Sequence, residues 1–205
     1  MDFSLLTSLV TVAVSVFAIM DPPAAIPTLI SYVGVLGSSG EDVDIGKLVA
    51  RSVNKASVAI LLLLTSFSLF GEYILRAFNI SLEALRIAGG VLLMIIAAEM
   101  LLSREKPEEV RRGDFAVVPI ATPLIVGPGT MSTLIVYSRI YGPLVTLAGS
   151  YIAFAMAYPL LRYSYLVLKY LGPSVLQGLA KFMSIIVASI AVELLISGLK
   201  GLALL

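Results

Sequence analysis

Hydrophobic residues run along this chain in long uninterrupted blocks, and the charged residues gather between them. Residues 3–20 carry no charge, and after Asp21 residues 22–40 are uncharged again. Five further blocks follow: 56–71, 87–103 with Glu99 as its one charge, 115–138, 140–161, and 182–199 with Glu193 as its one charge. A helix needs roughly 20 residues, rising about 1.5 Å each, to cross a hydrocarbon core of about 30 Å. Block 56–71 is short for this, but Lys55 and Glu72 at its edges can extend it by snorkelling. The short alternating strands of a β-barrel are not seen, so the pattern predicts an all-α polytopic membrane protein with six transmembrane helices.

The blocks fall into two matching halves. Asp21-Pro22-Pro23-Ala24-Ala25-Ile26-Pro27-Thr28 interrupts the first span, and Thr122-Pro123-Leu124-Ile125-Val126-Gly127-Pro128-Gly129-Thr130 interrupts the fourth. Both contain two prolines five residues apart, and a shift of 101 superposes Pro22 on Pro123 and Pro27 on Pro128. The third and sixth spans correspond as well, with Glu99 and Glu193 in register at a shift of 94. The first repeat is thus expected over 1–103, with spans at about 3–40 (broken at 21–28), 56–71 and 87–103. A charged cytoplasmic linker at 104–114 leads to the second repeat over 115–205, with spans at about 115–138 (broken at 122–130), 140–161 and 182–199. Three spans per half force the second half to enter the membrane in the opposite sense. Inverted-topology repeats with broken helices 1 and 4 are a ground plan of secondary transporters.

Charge then orients the chain. Lys47, Arg51, Lys55, Arg104, Lys106, Arg111, Arg112, Arg162, Lys169 and Lys181 fall on one side; Arg76, Arg86, Arg139 and Lys200 fall on the other. The positive-inside rule places the richer side in the cytoplasm and both termini outside. Tyr137, Tyr141, Tyr163, Tyr165 and Tyr170 sit near span ends, as interfacial aromatics do. The first block lacks the positive leader and small-residue cleavage site of a signal peptide.

Composition narrows the chemistry. With 59% hydrophobic and 13% charged residues and a mean hydropathy of +1.03, the chain departs from soluble domains toward integral membrane proteins. Its 14 basic residues against 13 acidic ones give no basic excess for nucleic acid. The absence of Cys removes thiolate chemistry and thiolate metal sites, and the absence of His removes imidazole ligation and a Ser-His-Asp relay. No enzyme, cofactor or metal site is expected; the lipid bilayer is the obligatory surroundings, and a homo-oligomer is compatible with the sequence.

The two breaks are the places where chemistry can occur. Proline removes a backbone donor and clashes with the preceding turn, so Pro22, Pro23 and Pro27 are expected to break the first span. Gly127, Pro128 and Gly129 are expected to do the same in the fourth. Freed N–H and C=O groups within a membrane need protein, water or ligand partners. Half-helices that start at a break present N–H groups suited to a carboxylate, and those that end there present carbonyls suited to an ammonium or a cation. A zwitterionic amino acid satisfies both. Thr28, Ser31, Thr122, Thr130, Ser132 and Thr133 lie near the breaks, where their hydroxyls either line a site or bond back to their own helices. Asp21 is placed to cap the next half-helix or to hold a charge. Glu99 and Glu193, as ionisable groups within spans, join Asp21 as candidates for coupling to H+ or Na+, unless they snorkel at the span ends. Gly89-Gly90 and the ladder Gly149, Ala153, Ala157 read as close-packing surfaces.

Asp21-Pro22 with Pro27, the run Arg86-Ile87-Ala88-Gly89-Gly90, and Pro123 with Gly127-Pro128-Gly129-Thr130 resemble the MarC family of integral membrane proteins, over essentially the whole chain. That family includes small neutral amino-acid transporters. The resemblance implies a six-helix transporter for glycine, alanine and related amino acids, driven by an ion or proton gradient. It also implies that Asp21, Pro22, Pro27, Gly127, Pro128, Gly129 and Thr130 frame the substrate site, beside Thr28, Thr122 and Pro123 of the same breaks. Where the family commonly has Gly-Asn in the first break, this chain has Ala24-Ala25 and lacks that amide. A channel for a small neutral solute and a non-transporting membrane partner protein are the competing classes.

Overall fold

A computed structural model describes residues 3–37, 44–102 and 125–203. Among these residues the chain forms seven α-helices and no strand: α1 (Phe3–Met20), α2 (Pro22–Gly37), α3 (Ile45–Ala77), α4 (Leu82–Leu102), α5 (Pro128–Tyr141), α6 (Pro143–Arg162) and α7 (Ser164–Ala203). Five stretches are long and apolar enough to cross a membrane: 4–30, 45–77, 82–102, 143–162 and 164–202. The linker 104–114, Thr122 and Pro123 lie outside the described residues.

Several helices outrun the hydrophobic blocks that announced them. Block 56–71 is the middle of α3, whose 33 residues reach about 50 Å at the usual rise. Charged residues do not stop a helix; Lys47, Arg51, Lys55, Glu72 and Arg76 simply occupy its two ends, beyond the apolar middle. Asp44 starts it, its Oδ1 accepting the Lys47 backbone N–H at 3.2 Å. That bond holds the Asp44 carboxyl below its ordinary pKa. Val49, Val53, Ala56, Ile60, Leu64, Ser68, Gly71 and Leu75 make a buried stripe with helical spacing along its whole length.

Block 182–199 is likewise the later part of α7. Gly172, at φ 75° and ψ 163°, interrupts that helix just before Pro173. The short piece before it carries Lys169 with the exposed Tyr165 and Tyr170. Blocks 87–103 and 140–161 shift by a few residues, to α4 and α6.

The first break is narrower than the expected 21–28. The helix stops at Asp21 alone, at φ 41°, and resumes at Pro22, so Pro22 and Pro23 stand in the first turn of α2, where no intrahelical donor is needed. Pro27 lies inside α2; it removes only the bond to the Pro23 carbonyl and does not end the helix.

Packing encloses α5. α5 is buried on every side from Ser132 to Ser138 and touches α1, α3, α4 and α6. The most extensive helix pair is α4 with α7, followed by α1 with α6. Small residues make both possible: a Cβ on Gly90 would lie 2.8 Å from the Ala191 carbonyl oxygen, and one on Gly149 would lie 2.6 Å from Val12 Cγ1. Ala153 and Ala157, also fully buried, continue the α6 surface.

Candidate functional site

Asp21 sits between α1 and α2, with 5% of its surface exposed. A left-handed backbone is unusual for a side-chain-bearing residue, and Asp and Asn tolerate it best. Its carboxylate caps α2: Oδ1 accepts the Ala24 N–H at 3.4 Å, while Oδ2 is buried without a hydrogen-bond partner. A lone unpaired carboxylate oxygen in a buried site costs more than a neutral acceptor, because desolvation of charge is severe. Pro22 and Pro23 are buried beside it, and Pro27 and Thr28 are half-buried on the next turn of α2. The side chain of Ser31 is outside the described set.

The second break reaches its helix at Pro128. Gly127 stands in extended conformation, at φ −86° and ψ −179°, and offers no side chain to cap α5. The first backbone bond of the helix runs from the Met131 N–H to the Gly127 carbonyl, at 3.0 Å. Pro128 has no N–H to place, so the donors ahead of that bond are those of Gly129 and Thr130, both buried. At this helix start Gly127 is half-buried and Pro128 exposed, and the N–H groups of a helix start favour negative charge. Hydroxyls meanwhile turn to carbonyls: Thr130 Oγ1 donates to Ile125 O at 3.4 Å, and Ser132 Oγ lies 2.9 Å from Pro128 O and 3.1 Å from Gly129 O. Thr133 Oγ1, one turn further, is buried with no partner. A Cβ on Gly129 would collide with Leu93 Cδ2, so α4 closes against this end of α5.

The residues flanking both breaks belong to one hydrophobic cluster, Met20 and Ala25 from the first, Ile125 and Val126 from the second. The structure does not bring the other two carboxylates into it. Glu99 and Glu193 are exposed on α4 and α7. Glu193 lies close enough to Tyr137 to act on it electrostatically, and the Tyr137 hydroxyl is within hydrogen-bonding reach of Ser15 on α1.

Two polar ties hold α3 to its neighbours and leave little trace in the sequence pattern. At one end Asn54 Oδ1 accepts from the Tyr158 hydroxyl at 2.8 Å and from Arg162 Nη1 at 2.6 Å, both on α6. At the other, Glu72 Oε1 accepts from Arg76 and from Arg139 of α5, each at 2.7 Å. Only the Glu72–Arg76 spacing, four residues on one helix, was a readable signal. Ser138 Oγ, bonded to the Ser68 carbonyl at 2.7 Å, adds a buried link between α3 and α5.

Comparison with known proteins agrees with this architecture. Residues 6–203 match the family described as MarC family integral membrane protein. A UPF0056 membrane protein of Methanocaldococcus jannaschii is 31% identical over 199 residues, covering 91% of this chain and 93% of the relative. One of Pyrococcus horikoshii is 33% identical over 190 residues, covering 90% of each. One of Escherichia coli is 29% identical over 202 residues, covering 92% of this chain and 90% of its own length. No solved structure matches. Helical and multi-pass, the chain belongs to the MarC family of integral membrane proteins.

Proposed function

We propose that the protein is a secondary transporter of small neutral amino acids, of the glycine and alanine class, in the cell membrane, coupled to an H+ or Na+ gradient. The observation that carries this reading is the pair of helix ends flanked by one hydrophobic cluster: an unpaired carboxylate oxygen at Asp21 and a helix start at Gly127 without a side-chain cap. One break suits positive charge, whether the substrate's ammonium or the coupling cation, and the other suits the substrate's carboxylate. A hydrolase would need a second carboxylate beside Asp21, whereas Glu99 and Glu193 are both exposed, which argues for a non-enzymatic role.

Helix packing supports an inverted repeat of six spans, with α1–α2 paired to α5 and the chain leading into it, α3 to α6, and α4 to α7. Exchange of the halves maps the α2–α6 contact onto α5–α3, the α2–α7 contact onto α5–α4, and the α2–α3 contact onto α5–α6. In this reading α4 and α7 pack across the pseudo-two-fold axis, and alternating access rocks the halves around the two breaks.

Radiolabelled glycine and alanine uptake into proteoliposomes, with proton and sodium gradients imposed separately, tests the proposal. Uptake that follows one gradient, with trans-stimulation by unlabelled substrate, is expected; uptake without trans-stimulation would identify a channel. Thr130→Val keeps the side-chain shape and removes the hydroxyl beside the uncapped helix start. It is expected to raise the KM for glycine about tenfold, the scale of one lost hydrogen bond. Unchanged uptake in this variant would remove the α5 break from the site.

A further inference from the structure

The double proline after Asp21 strips partners from the carbonyls behind it. In a continuous helix the carbonyls of Ala18 and Ile19 would accept from the N–H groups of residues 22 and 23. Both are proline, so neither donor exists. The Ala24 N–H, next in line for the Met20 carbonyl, is turned to Asp21 Oδ1 instead. On either side the ladder is intact: the Asp21 N–H bonds Phe17 O and the Ala25 N–H bonds Asp21 O, each at 3.2 Å. The deficit is therefore confined to three consecutive carbonyls, and Ala18 and Met20 are each 1% exposed. Next to them stands Asp21 Oδ2, buried and unpaired. This is a cluster of acceptors in an apolar core, with no backbone donor serving it among the described residues.

We propose that the α1–α2 break is a binding site for one dehydrated monovalent cation of the sodium class, ligated by Asp21 Oδ2 and carbonyl oxygens of the Ala18–Met20 run. Hard oxygen ligands select a hard cation. One carboxylate neutralises one positive charge, whereas a divalent ion would leave net charge in the core, which membrane interiors penalise. The site deepens the transport reading, since it names the ion that the gradient would drive and leaves the α5 break to the substrate carboxylate. The ammonium group of an amino acid is another source of the same charge, and the test separates the two.

Thermal unfolding of the purified full chain in detergent, without amino acid, is measured in sodium, potassium and choline chloride at equal ionic strength. Sodium is expected to raise Tm in a saturable way, as any ligand of the native state does, and choline is not. Asp21→Asn keeps a residue that tolerates φ 41°, so the fold persists and the sodium shift disappears. Pro23→Ala keeps the carboxylate but returns a donor to the Ile19 carbonyl. It is expected to raise the half-saturating sodium concentration about tenfold, as loss of one ligand oxygen would. No cation-specific shift in the wild type, or an equal shift in Asp21→Asn, overturns the site. A shift produced by glycine in sodium-free buffer and lost in Asp21→Asn assigns the seat to the ammonium and overturns it too. A sodium shift in a protein that moves no amino acid would sink the transport reading and leave this site standing.

Discussion

Single atoms decide which glycines of this chain can be replaced. Gly90 is pressed on α7: an added Cβ would lie 2.7 Å from Leu195 Cγ and 2.8 Å from the Ala191 carbonyl oxygen. A side chain can swing away, but a backbone carbonyl in a packed helix cannot. Gly90→Ala is therefore expected to lower stability by about 1–3 kcal/mol, the usual penalty for overpacking. Gly178, also within α7, is the control, because a Cβ there meets nothing within 4 Å. Gly178→Ala should stabilise by about 0.5–1 kcal/mol through better helix propensity. Thermal unfolding in one detergent compares the two, and a harmless Gly90→Ala would show that α4 and α7 are not in contact as described. The sequence marked Gly89-Gly90 as a packing surface because small residues cluster where helices meet. It could not separate Gly90 from Gly178, since the difference lies in the neighbour and not in the glycine.

Helices were legible in proportion to how local their causes are. Asp21-Pro22-Pro23 writes its own break, because the missing donors belong to the prolines themselves. Pro27 looked equivalent by spacing and is not, since one missing bond inside a helix held by Ile26 and Leu29 in the core leaves the helix intact. The ends of α3 are hidden for the opposite reason: charge ends the apolar part of this helix and not the helix itself. Glu99 and Glu193 share a register in the sequence, yet their exposure depends on which face α4 and α7 turn to each other. The ties of α3 were invisible, because Asn54 and Arg162 are 108 residues apart in sequence. These ties make a prediction at this scale. Glu72→Gln and Arg139→Gln should each lower Tm slightly, the double variant no further, and high salt should erase the difference, as for exposed ion pairs. Additive losses would mean that Glu72 and Arg139 act separately.

For the whole molecule, the proposed inverted repeat and the orientation are one claim, and the absence of native cysteine makes it testable without background. Asn79, at φ 50° in the turn between α3 and α4, and Gly142, at φ 88° between α5 and α6, both follow spans that would run outward. Lys169, exposed ahead of the Gly172 interruption, precedes a span that would run outward and so belongs to the cytoplasmic side. Single cysteines are introduced as Asn79→Cys, Tyr141→Cys beside Gly142, and Lys169→Cys, and intact cells are treated with a membrane-impermeant maleimide. Residues 79 and 141 are expected to label and residue 169 to label only after the cells are opened. Tyr141 stands in for Gly142 because a cysteine at φ 88° would strain the turn. The mirror-image pattern would reverse the orientation and leave the repeat intact. Labelling of 79 and 141 from opposite sides would end the repeat itself, because two inverted halves must bring the exits of α3 and α5 to the same face. With that geometry gone, the two breaks would no longer be related by an axis, and a single site built from both would lose its basis.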